Sequence, residues 1–271
     1  MTAVALTIAG SDPSGGAGVQ ADLKTFHQHG VYGTSVLALL TVQNTRAVRR
    51  VEVMDPGLVR EQIEAVVEDV PPDAAKTGAL GSGAVVAVVA EMAERFEFPL
   101  VVDPVMISKH GASLLDEAAR EALRERLVPR ATLLTPNASE AGWLAKMDVV
   151  DRASARDAAF AIAELGAWAV LIKGGHLRGD EAVDLLCVNG QIVELSAPRI
   201  DTAHTHGTGC TYSAAITARL ALAEPLLEAV SEAKGWLTEA LMSPPKIGSG
   251  VGPVDHFAPV SRNSVPPPER R

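Results

Sequence analysis

The sequence predicts an α/β protein in which a mostly parallel sheet carries helices on both faces. Short apolar segments alternate with amphipathic segments along the chain, which is the pattern of repeated strand–helix units. The composition, 47% hydrophobic and 21% charged, suits a large core of this kind better than a disordered chain. Glycine-rich or polar loops follow the apolar segments, at the edge of the sheet where such proteins bind ligands.

Six apolar segments are predicted as single strands, because each is short and ends near a turn or loop residue. In order along the chain they are residues 3–10, 35–45, 73–80, 99–106, 131–137 and 168–176. Residues 181–198 differ, since two strand-like runs flank Asn189-Gly190, the strongest short-range signal for a hairpin. An antiparallel hairpin is therefore expected after the sixth strand.

The segments between the strands have helical spacing, and Gly30 is expected to end the first of them. They cover residues 18–30, 56–70, 82–96, 117–128, 138–147 and 155–167. Two more helices are predicted after the hairpin, one starting at the motif HGTGC (residues 206–210) and one over residues 226–242.

No linker or fixed-period repeat interrupts this pattern, so we expect one domain over residues 1–260 and a Pro-rich polar tail over 261–271 that frays. The N-terminus has no basic region and no run of about 18 apolar residues occurs, so neither a secretory signal nor a membrane span is expected. The only cysteines are Cys187 and Cys210, which fits a reducing, cytoplasmic location.

The net charge of −9 and the pI of about 5.3 argue against nucleic acid or an anionic membrane surface as a partner. Any polyanionic ligand must then be held by a local site. Small-molecule ligands are expected in the loops that follow the strands.

The loop between the first strand and the first helix, "GSDPSGGAG" from Gly10 to Gly18, resembles a phosphate loop but matches neither the P-loop nor the dinucleotide fingerprint. A tight turn that needs glycine at positive φ explains it equally well. Asp12 adds an acceptor suited to an amine or amide of a substrate.

The motif HGTGC places glycines and backbone N–H groups at the start of a helix, where the dipole favours anions. We interpret Gly207, Thr208, Gly209 and Cys210 as an anion hole for a transferred phosphoryl group. The same field is expected to lower the pKa of the Cys210 thiol, so that a thiolate accepts a proton from a substrate hydroxyl. The alternative is that Cys210 packs as a small apolar residue.

Three further segments carry polar groups at strand ends. Asn137 and Glu140 have the spacing of a capping box, and Glu140 is alternatively a residue that orders water around Mg²⁺. Lys173 follows a strand and can reach a phosphate, or it is a solvated strand end. Asp103 is either an N-cap or a water-mediated metal ligand. His206 is expected to orient the HGTGC loop. The absence of a His/Cys cluster argues against structural zinc.

Taken together, the motifs resemble the hydroxymethylpyrimidine/phosphomethylpyrimidine kinases of thiamine biosynthesis, in the ribokinase-like superfamily. The segments that carry the resemblance are "TIAGSDPSGGAGVQADLKTF", "TVQNT", "DPVM", "KHG", "TPNASEA", "IKGGH", "DTAHTHGTGCTYSAAI" and "GPVDHF". They occur in the expected order over nearly the whole chain. The resemblance implies a three-layer α/β/α sandwich and ATP-dependent phosphorylation of 4-amino-5-hydroxymethyl-2-methylpyrimidine, then of its monophosphate to the diphosphate.

The resemblance also implies roles for individual residues. Gln43 falls on the glutamine that hydrogen-bonds the pyrimidine, and Gly10, Asp12 and Ala17 fall in the substrate-facing first loop. Lys173, Asn137 and Glu140 fall near the ATP phosphates. Mg²⁺ is expected at Glu140 and Asp103 through water, and Cys210 stands where sugar-kinase relatives have an aspartate base. A homodimer is expected, and a monovalent-cation requirement stays open.

Two departures from the family pattern are Ala79, where a methionine is common, and His204, where an asparagine is common. Leu80 is a candidate to fill the space left by the shorter Ala79. The main alternative function is a pyridoxal kinase, because both substrates are hydroxymethyl-bearing heteroaromatics. A cysteine hydrolase and a non-catalytic binding protein are the alternatives from other classes.

Overall fold

The protein forms one nine-stranded sheet between two layers of helices in a computed structural model that describes residues 2–107, 111, 114–176 and 180–260. The strands are β1 (Val4–Ser11), β2 (Tyr32–Gln43), β3 (Val48–Val53), β4 (Ala74–Thr77), β5 (Leu100–Val102), β6 (Leu133–Leu134), β7 (Ala169–Ile172), β8 (Glu181–Val188) and β9 (Gln191–Pro198). Their order across the sheet is β3-β2-β1-β4-β5-β6-β7-β8-β9.

The six central strands, from β2 to β7 across the sheet, are parallel. The antiparallel strand β3 closes one edge, and the antiparallel hairpin of β8 and β9 closes the other. The mostly parallel sheet is thus confirmed, and so is the hairpin, in which Asn189 and Gly190 both have positive φ. The direction in which successive strands are added to the sheet reverses between β1 and β4, which creates a crevice at the carboxyl ends of these two strands.

Eight α-helices cover the two faces within the described part of the chain. They are α1 (Gly18–Gln28), α2 (Pro56–Asp69), α3 (Gly83–Ala93), α4 (Glu117–Ala122), α5 (Ala138–Ala145), α6 (Arg152–Ala163), α7 (Thr208–Ala221) and α8 (Leu226–Met242). Helices α2 to α6 bury their apolar residues against one face, and α1, α7 and α8 against the other. The side chains alternate between these two cores along each strand. The first core packs against α2 to α6, and the second core packs against α1, α7 and α8. In β1, for example, Leu6 and Ile8 enter the first core and Ala5 enters the second.

Two elements differ from the sequence prediction. Strand β3 was not predicted, because its VRRVEV segment is exposed on an edge and carries two arginines. The helix predicted over 117–128 ends as an α-helix at Ala122 and continues as a π-helical segment, Leu123–Leu127. The predicted tail, 261–271, lies outside the described residues. Among the described residues, no helix has the length and apolar character needed to cross a membrane.

Candidate active site

The loops at the carboxyl ends of the strands surround one large cavity of about 1010 Å³. The loops that follow the strands were expected to meet at one edge of the sheet, and this is confirmed. Loops after the predicted strands and at the start of α7 contribute lining residues, among them Asp12, Gln43, Gly78, Asp103, Glu140, Gly175 and Cys210. A cavity of this size is at the upper end of the range for small-molecule sites and has room for two ligands.

The HGTGC motif starts helix α7 by a backbone conformation that only glycine adopts easily. Gly207 has a φ of +74° and forms the N-cap, and a Cβ atom there would lie 1.7 Å from the carbonyl oxygen of Gly16. The helix start and the first loop are therefore in direct backbone contact. The N–H group of Thr208 donates to the carbonyl of Thr205 at 3.3 Å. The expectation that its N–H points free into the anion hole is accordingly wrong.

Asp12 and His206 join the first loop to the HGTGC loop. His206 Nε2 lies 2.7 Å from Asp12 Oδ2, which also accepts from the N–H of Ala17 at 2.9 Å. The other oxygen of Asp12 accepts from the N–H and the hydroxyl of Ser14. Burial alone would raise the pKa of Asp12, but the hydrogen bonds from His206 and Ser14 outweigh it and lower the pKa.

Asp12 therefore organises the loop instead of offering a free acceptor to an amine or amide, because both of its oxygens already have two protein donors each. The expected role of His206 in orienting the HGTGC loop agrees with this geometry. Gln43 lies at the same end of the cavity, with its Nε2 atom 3.2 Å from Nε2 of His206. Gly10 and Ala17 line the cavity beside it, and a Cβ on Gly10 would collide with the side chain of Leu39.

Lys173 and Asp103 form a largely buried ion pair in the floor of the cavity. Lys173 Nζ donates to Asp103 Oδ1 at 2.9 Å, and Asp103 also accepts from Thr135 and Ser213 at 3.3 and 3.4 Å. A Cβ on Gly209 would lie 3.3 Å from Lys173 Nζ. The ammonium group thus sits directly below the start of α7. Of the two interpretations of Asp103, the N-cap is wrong, because the residue caps no helix and pairs with a lysine.

Asn137 and Glu140 form the capping box that their spacing indicates. Asn137 Oδ1 accepts from the N–H of Glu140 at 3.0 Å, and Glu140 Oε2 accepts from the N–H of Asn137 at 2.8 Å. The nearby N–H of Met106 also favours the ionised form of the Glu140 carboxyl group. Burial raises the pKa of Glu140 to about 7, with Lys173 opposing the shift and Asp103 adding to it.

The carboxyl groups of Asp103 and Glu140 could hold a magnesium ion only through its water ligands. Among the described residues there is no group of three or more His, Cys, Asp or Glu side chains that could hold a metal ion. Asp103 is committed to Lys173 on one side, and Glu140 to the backbone N–H group of Asn137. Because Mg²⁺ keeps several water ligands, two oxygen-bearing side chains beside bound phosphates are a sufficient set.

The expected lowering of the Cys210 pKa is contradicted by the structure. Burial of the thiol raises its pKa to about 11, and nearby Asp22 and Asp103 add to the increase. The ammonium group of Lys76 and the nearby N–H group of Gly18 oppose them. Desolvation and two anions therefore outweigh the opposing charge of Lys76.

A second polar cluster that lines the cavity was missed by sequence reasoning. Asp184 accepts from the N–H of Gly174 at 2.8 Å, from the Tyr212 hydroxyl at 3.0 Å and from Lys234 Nζ at 2.7 Å. Lys234 lies on the buried side of α8 between Val230 and Leu237. A lysine on the apolar side of a predicted helix is the signal that could have found this cluster.

The departures from the family pattern also have a place in the structure. Ala79 lines the cavity, whereas Leu80 is buried in the core formed with α2 to α6. Leu80 therefore does not fill the space beside Ala79. His204 packs against Gly252, and no hydrogen-bond partner is found for its Nδ1 atom in the described residues.

Comparison with known proteins first defines the class of this fold and cavity. The structure of pyridoxal kinase from Staphylococcus aureus, in complex with AMP-PCP and pyridoxal, is similar with a TM-score of 0.87 and 35% identity. The match covers 95% of this chain and 94% of that one. The fold is thus that of a small-molecule kinase, and the α/β/α architecture expected from the sequence is confirmed.

The family follows from the sequence comparisons. A family model described as phosphomethylpyrimidine kinase matches residues 12–255. The hydroxymethylpyrimidine/phosphomethylpyrimidine kinase of Synechococcus elongatus is 48% identical over 95% of this chain and 98% of its own length. The bifunctional thiamine biosynthesis protein ThiED of Geobacter sulfurreducens is 46% identical, and the chain spans 52% of its length. The chain belongs to the phosphomethylpyrimidine kinase family and is a phosphotransferase.

Proposed function

We propose that the protein phosphorylates 4-amino-5-hydroxymethyl-2-methylpyrimidine with ATP, and then its monophosphate to the diphosphate used in thiamine biosynthesis. The observation that carries the proposal is that one cavity joins Gln43, the Cys210 thiol and the Lys173 ammonium group around a helix start. The names of the relatives support the same substrate class.

Two groups of residues lining the cavity suit the two substrates, and we call them the pyrimidine arm and the nucleotide arm. The pyrimidine arm is formed by Gly10, Asp12, Ala17 and Gln43, and the amide of Gln43 can both donate to and accept from an aminopyrimidine edge. The nucleotide arm runs from Lys173 past the Asn137 and Glu140 capping box to Leu237 and Thr238 of α8. Apolar residues of α8 suit a nucleotide base, while Lys173 suits its phosphates.

In the first transfer, the hydroxymethyl oxygen attacks the γ-phosphorus of ATP, and the bond from that phosphorus to the bridging oxygen of ADP breaks. Cys210 must first lose its own proton to solvent, and its thiolate then takes the proton of the hydroxyl group. Gly207, Thr208, Gly209 and Cys210 start helix α7, whose positive end stabilises the charge on the transferred group. Lys173 adds a fixed positive charge below that helix start.

In the second transfer, the nucleophile is a phosphate oxygen that is already ionised. No proton has to be removed, so Cys210 should matter much less. Magnesium, when bound with ATP, neutralises phosphate charge, and Asp103 and Glu140 would hold it through water. The residues of the chain position the two substrates and supply fixed positive charge beside the transferred phosphoryl group.

A second candidate function is phosphorylation of pyridoxal. It is favoured by the likeness to a pyridoxal kinase whose structure holds a nucleotide analogue and pyridoxal together. Ala79 in place of a larger side chain widens the cavity wall and suits the bulkier ring. We treat it as a secondary activity, because the family model and the sequence relatives name the pyrimidine.

Initial rates on the two substrates test the proposal. Purified protein is assayed with ATP and Mg²⁺ on hydroxymethylpyrimidine, its monophosphate and pyridoxal, with product identified by mass spectrometry. We expect the kcat/KM on the pyrimidine to exceed that on pyridoxal by at least about tenfold, roughly 1.4 kcal/mol of transition-state discrimination. A higher value on pyridoxal, or ATP hydrolysis without either product, would contradict the assignment.

The remaining expectations belong to the same proposal. Residues 1–260 act as one kinase domain, in the cytoplasm and as a homodimer, with no nucleic-acid or membrane partner and with any monovalent-cation requirement open to titration. Size-exclusion chromatography with light scattering checks the oligomeric state.

A further inference from the structure

A row of polar side chains crosses the sheet on the face that packs against α1 and α7. We call these side chains the polar row: Thr7, Lys76, Asp103, Thr135 and Lys173. The residues two positions before them are apolar and fully enclosed in the second core: Ala5, Ala74, Val101, Leu133 and Leu171. The row runs beneath the start of α7, so its charges lie close to the HGTGC residues.

The Lys76 end of the polar row holds an ion pair with no exposure to solvent. Lys76 Nζ donates to both carboxyl oxygens of Asp22 at 2.9 Å, and Asp22 Oδ2 also accepts from the Thr7 hydroxyl at 2.6 Å. Thr7 and Lys76 are register partners on β1 and β4, and Asp22 reaches them from α1. This cluster therefore sits at the point where the winding of the sheet reverses.

The cluster lies next to the thiol of Cys210. Gly18, the first residue of α1, and Cys210 both line the cavity, and Asp22 follows Gly18 by one turn on the same helix. Lys76 Nζ lies 3.8 Å from the position of a Cβ on Gly78, a residue that lines the cavity. The ammonium group of Lys76 thus lies close to a residue of the cavity wall.

A purely structural role explains the Lys76 and Asp22 pair poorly. Removing two charges from water costs several kcal/mol per ion, and an apolar pair of similar volume is often equally stable or more stable. The neighbouring positions of the same face, Ala74 and Ala5, are apolar and packed. A buried charge at this position has its strongest effect on the ionisable group beside it.

We propose that Lys76 is a positioning residue that supplies the counter-charge for the thiolate of Cys210, and that Asp22 limits this effect. The proposal deepens the proposed function and rests on it where Cys210 accepts the substrate proton. Cys210 first loses its own proton to solvent, and the fixed charge of Lys76 stabilises the resulting thiolate. The sulfur then gains the hydroxyl proton as the oxygen attacks phosphorus. Lys76 itself neither gives nor takes a proton.

Among the described residues, four charged groups act on the thiol, and their signs set the expected effects. Lys76 and Lys173 favour the thiolate, while Asp22 and Asp103 disfavour it. The attraction of Asp22, Cys210 and Asp103 outweighs burial and raises the pKa of Lys76, so its charge is permanent at neutral pH. Removing the charge of Lys76 should thus lower the fraction of Cys210 that is ionised, and removing the charge of Asp22 should raise it.

Thiol alkylation measures this effect without requiring kinase activity. In a Cys187→Ala background, Cys210 is the only cysteine, and its rate of reaction with iodoacetamide is followed from pH 7 to pH 10. Well below the pKa, the rate follows the thiolate fraction, and an opposite charge within about 4–6 Å shifts a pKa by about 1–3 units. We expect Lys76→Met to react about tenfold more slowly and Asp22→Asn about tenfold faster at pH 8.

Two further variants serve as controls. Lys234→Met removes another buried lysine, one that pairs with Asp184 and does not face the thiol, so the alkylation rate should stay unchanged. The double variant Lys76→Met/Asp22→Leu removes both charges but retains the bulk, and its rate should lie between those of the single variants. If Lys76→Met does not fold, Asp22→Asn and the double variant still decide the matter.

Equal rates in all variants, or rate changes of the same sign in Lys76→Met and Asp22→Asn, would overturn the proposal. Its outcome can be separated from that of the proposed function. Opposite shifts in alkylation combined with a fully active Cys210→Ala would show that Lys76 sets the thiol charge while Cys210 is not the proton acceptor. Unchanged alkylation with an inactive Cys210→Ala would leave the base in place and remove Lys76 from the mechanism.

Discussion

Glu140 shows how one side chain serves both the fold and the proposed nucleotide arm. Its carboxyl group completes the capping box of α5, and burial raises its pKa to about 7. The residue is therefore partly protonated near neutral pH until a cation approaches. A magnesium ion beside it would favour the ionised form, so nucleotide binding should release part of a proton there.

The raised pKa of Glu140 has a consequence for stability. The native state holds this proton between pH 4.5 and 7, where the unfolded state loses it, so the contribution is full below pH 4.5 and is lost as pH rises through 7. Glu140→Gln can retain the capping box and removes this titration. The free energy of unfolding of the variant should gain on the wild type, by on the order of 1–3 kcal/mol, between pH 4.5 and 8.

Urea unfolding of both proteins across that pH range measures the difference directly. Subtracting one protein from the other cancels the opposite trend that buried His29 and His256 cause, whose pKa values are lowered by burial to about 4. A difference that does not vary with pH would mean that Glu140 titrates normally.

Single residues were predicted from the sequence only where a local motif surrounds them. Asn137 and Glu140 are three apart at a helix start, and that spacing alone defines the capping box. One partner of Asp12, His206, lies 194 residues away, and such a distance in sequence leaves no local pattern. Lys76 and Asp22 did leave a signal, since each is a charged residue on the apolar face of its element, but its meaning required the fold.

At the scale of elements, the start of α7 is the part of the cavity with the least freedom. Gly207 adopts φ +74° and touches the carbonyl of Gly16, so any side chain there pushes the HGTGC loop away from the first loop. Displacement of the helix start by even about 1 Å can cost about 10²-fold in rate.

The substitution Gly207→Ala tests this constraint. We expect kcat to fall by about 10²-fold or more and stability to fall by at least about 1 kcal/mol, from the left-handed conformation alone. Gly175→Ala is the matched control, since Gly175 also lines the cavity but has open space at its Cβ position. Activity of Gly207→Ala close to that of Gly175→Ala would show that the loop contact is not needed.

The elements that the sequence predicted are those with a strong local signal. The hairpin of β8 and β9 follows from Asn189-Gly190, and the parallel strands follow from apolar runs that are buried on both faces. Strand β3 has neither signal, because it is an exposed edge strand rich in arginine that pairs only with β2. The π-helical segment after α4 likewise arises from packing and leaves no mark on helical periodicity.

At the scale of the whole molecule, the reversal of winding between β1 and β4 explains where the reaction takes place. Loops from both halves of the sheet open into the same crevice, so residues as distant in sequence as Asp12 and Cys210 line one cavity. The alternation of strands and helices predicted this edge of the sheet. It did not predict which charges pair there, because pairings such as Lys173 with Asp103 depend on the register of separate strands.

One cavity is thereby proposed to carry two transfers that differ in only one requirement. The first nucleophile is a hydroxyl group that must lose a proton, and the second is a phosphate that is already charged. The positioning by Gln43, Lys173 and the start of α7 is common to both, whereas proton removal by Cys210 belongs to the first alone.

The most direct test compares the two transfers in the wild type and in Cys210→Ala, each started from its own substrate and followed by ³¹P NMR or chromatography. General-base help is worth about 10²–10⁴-fold, so the first phosphorylation should slow by that factor. The second should change by less than about tenfold, since its nucleophile is already ionised. Equal losses in the two steps, or an unimpaired first step, would contradict Cys210 as the proton acceptor.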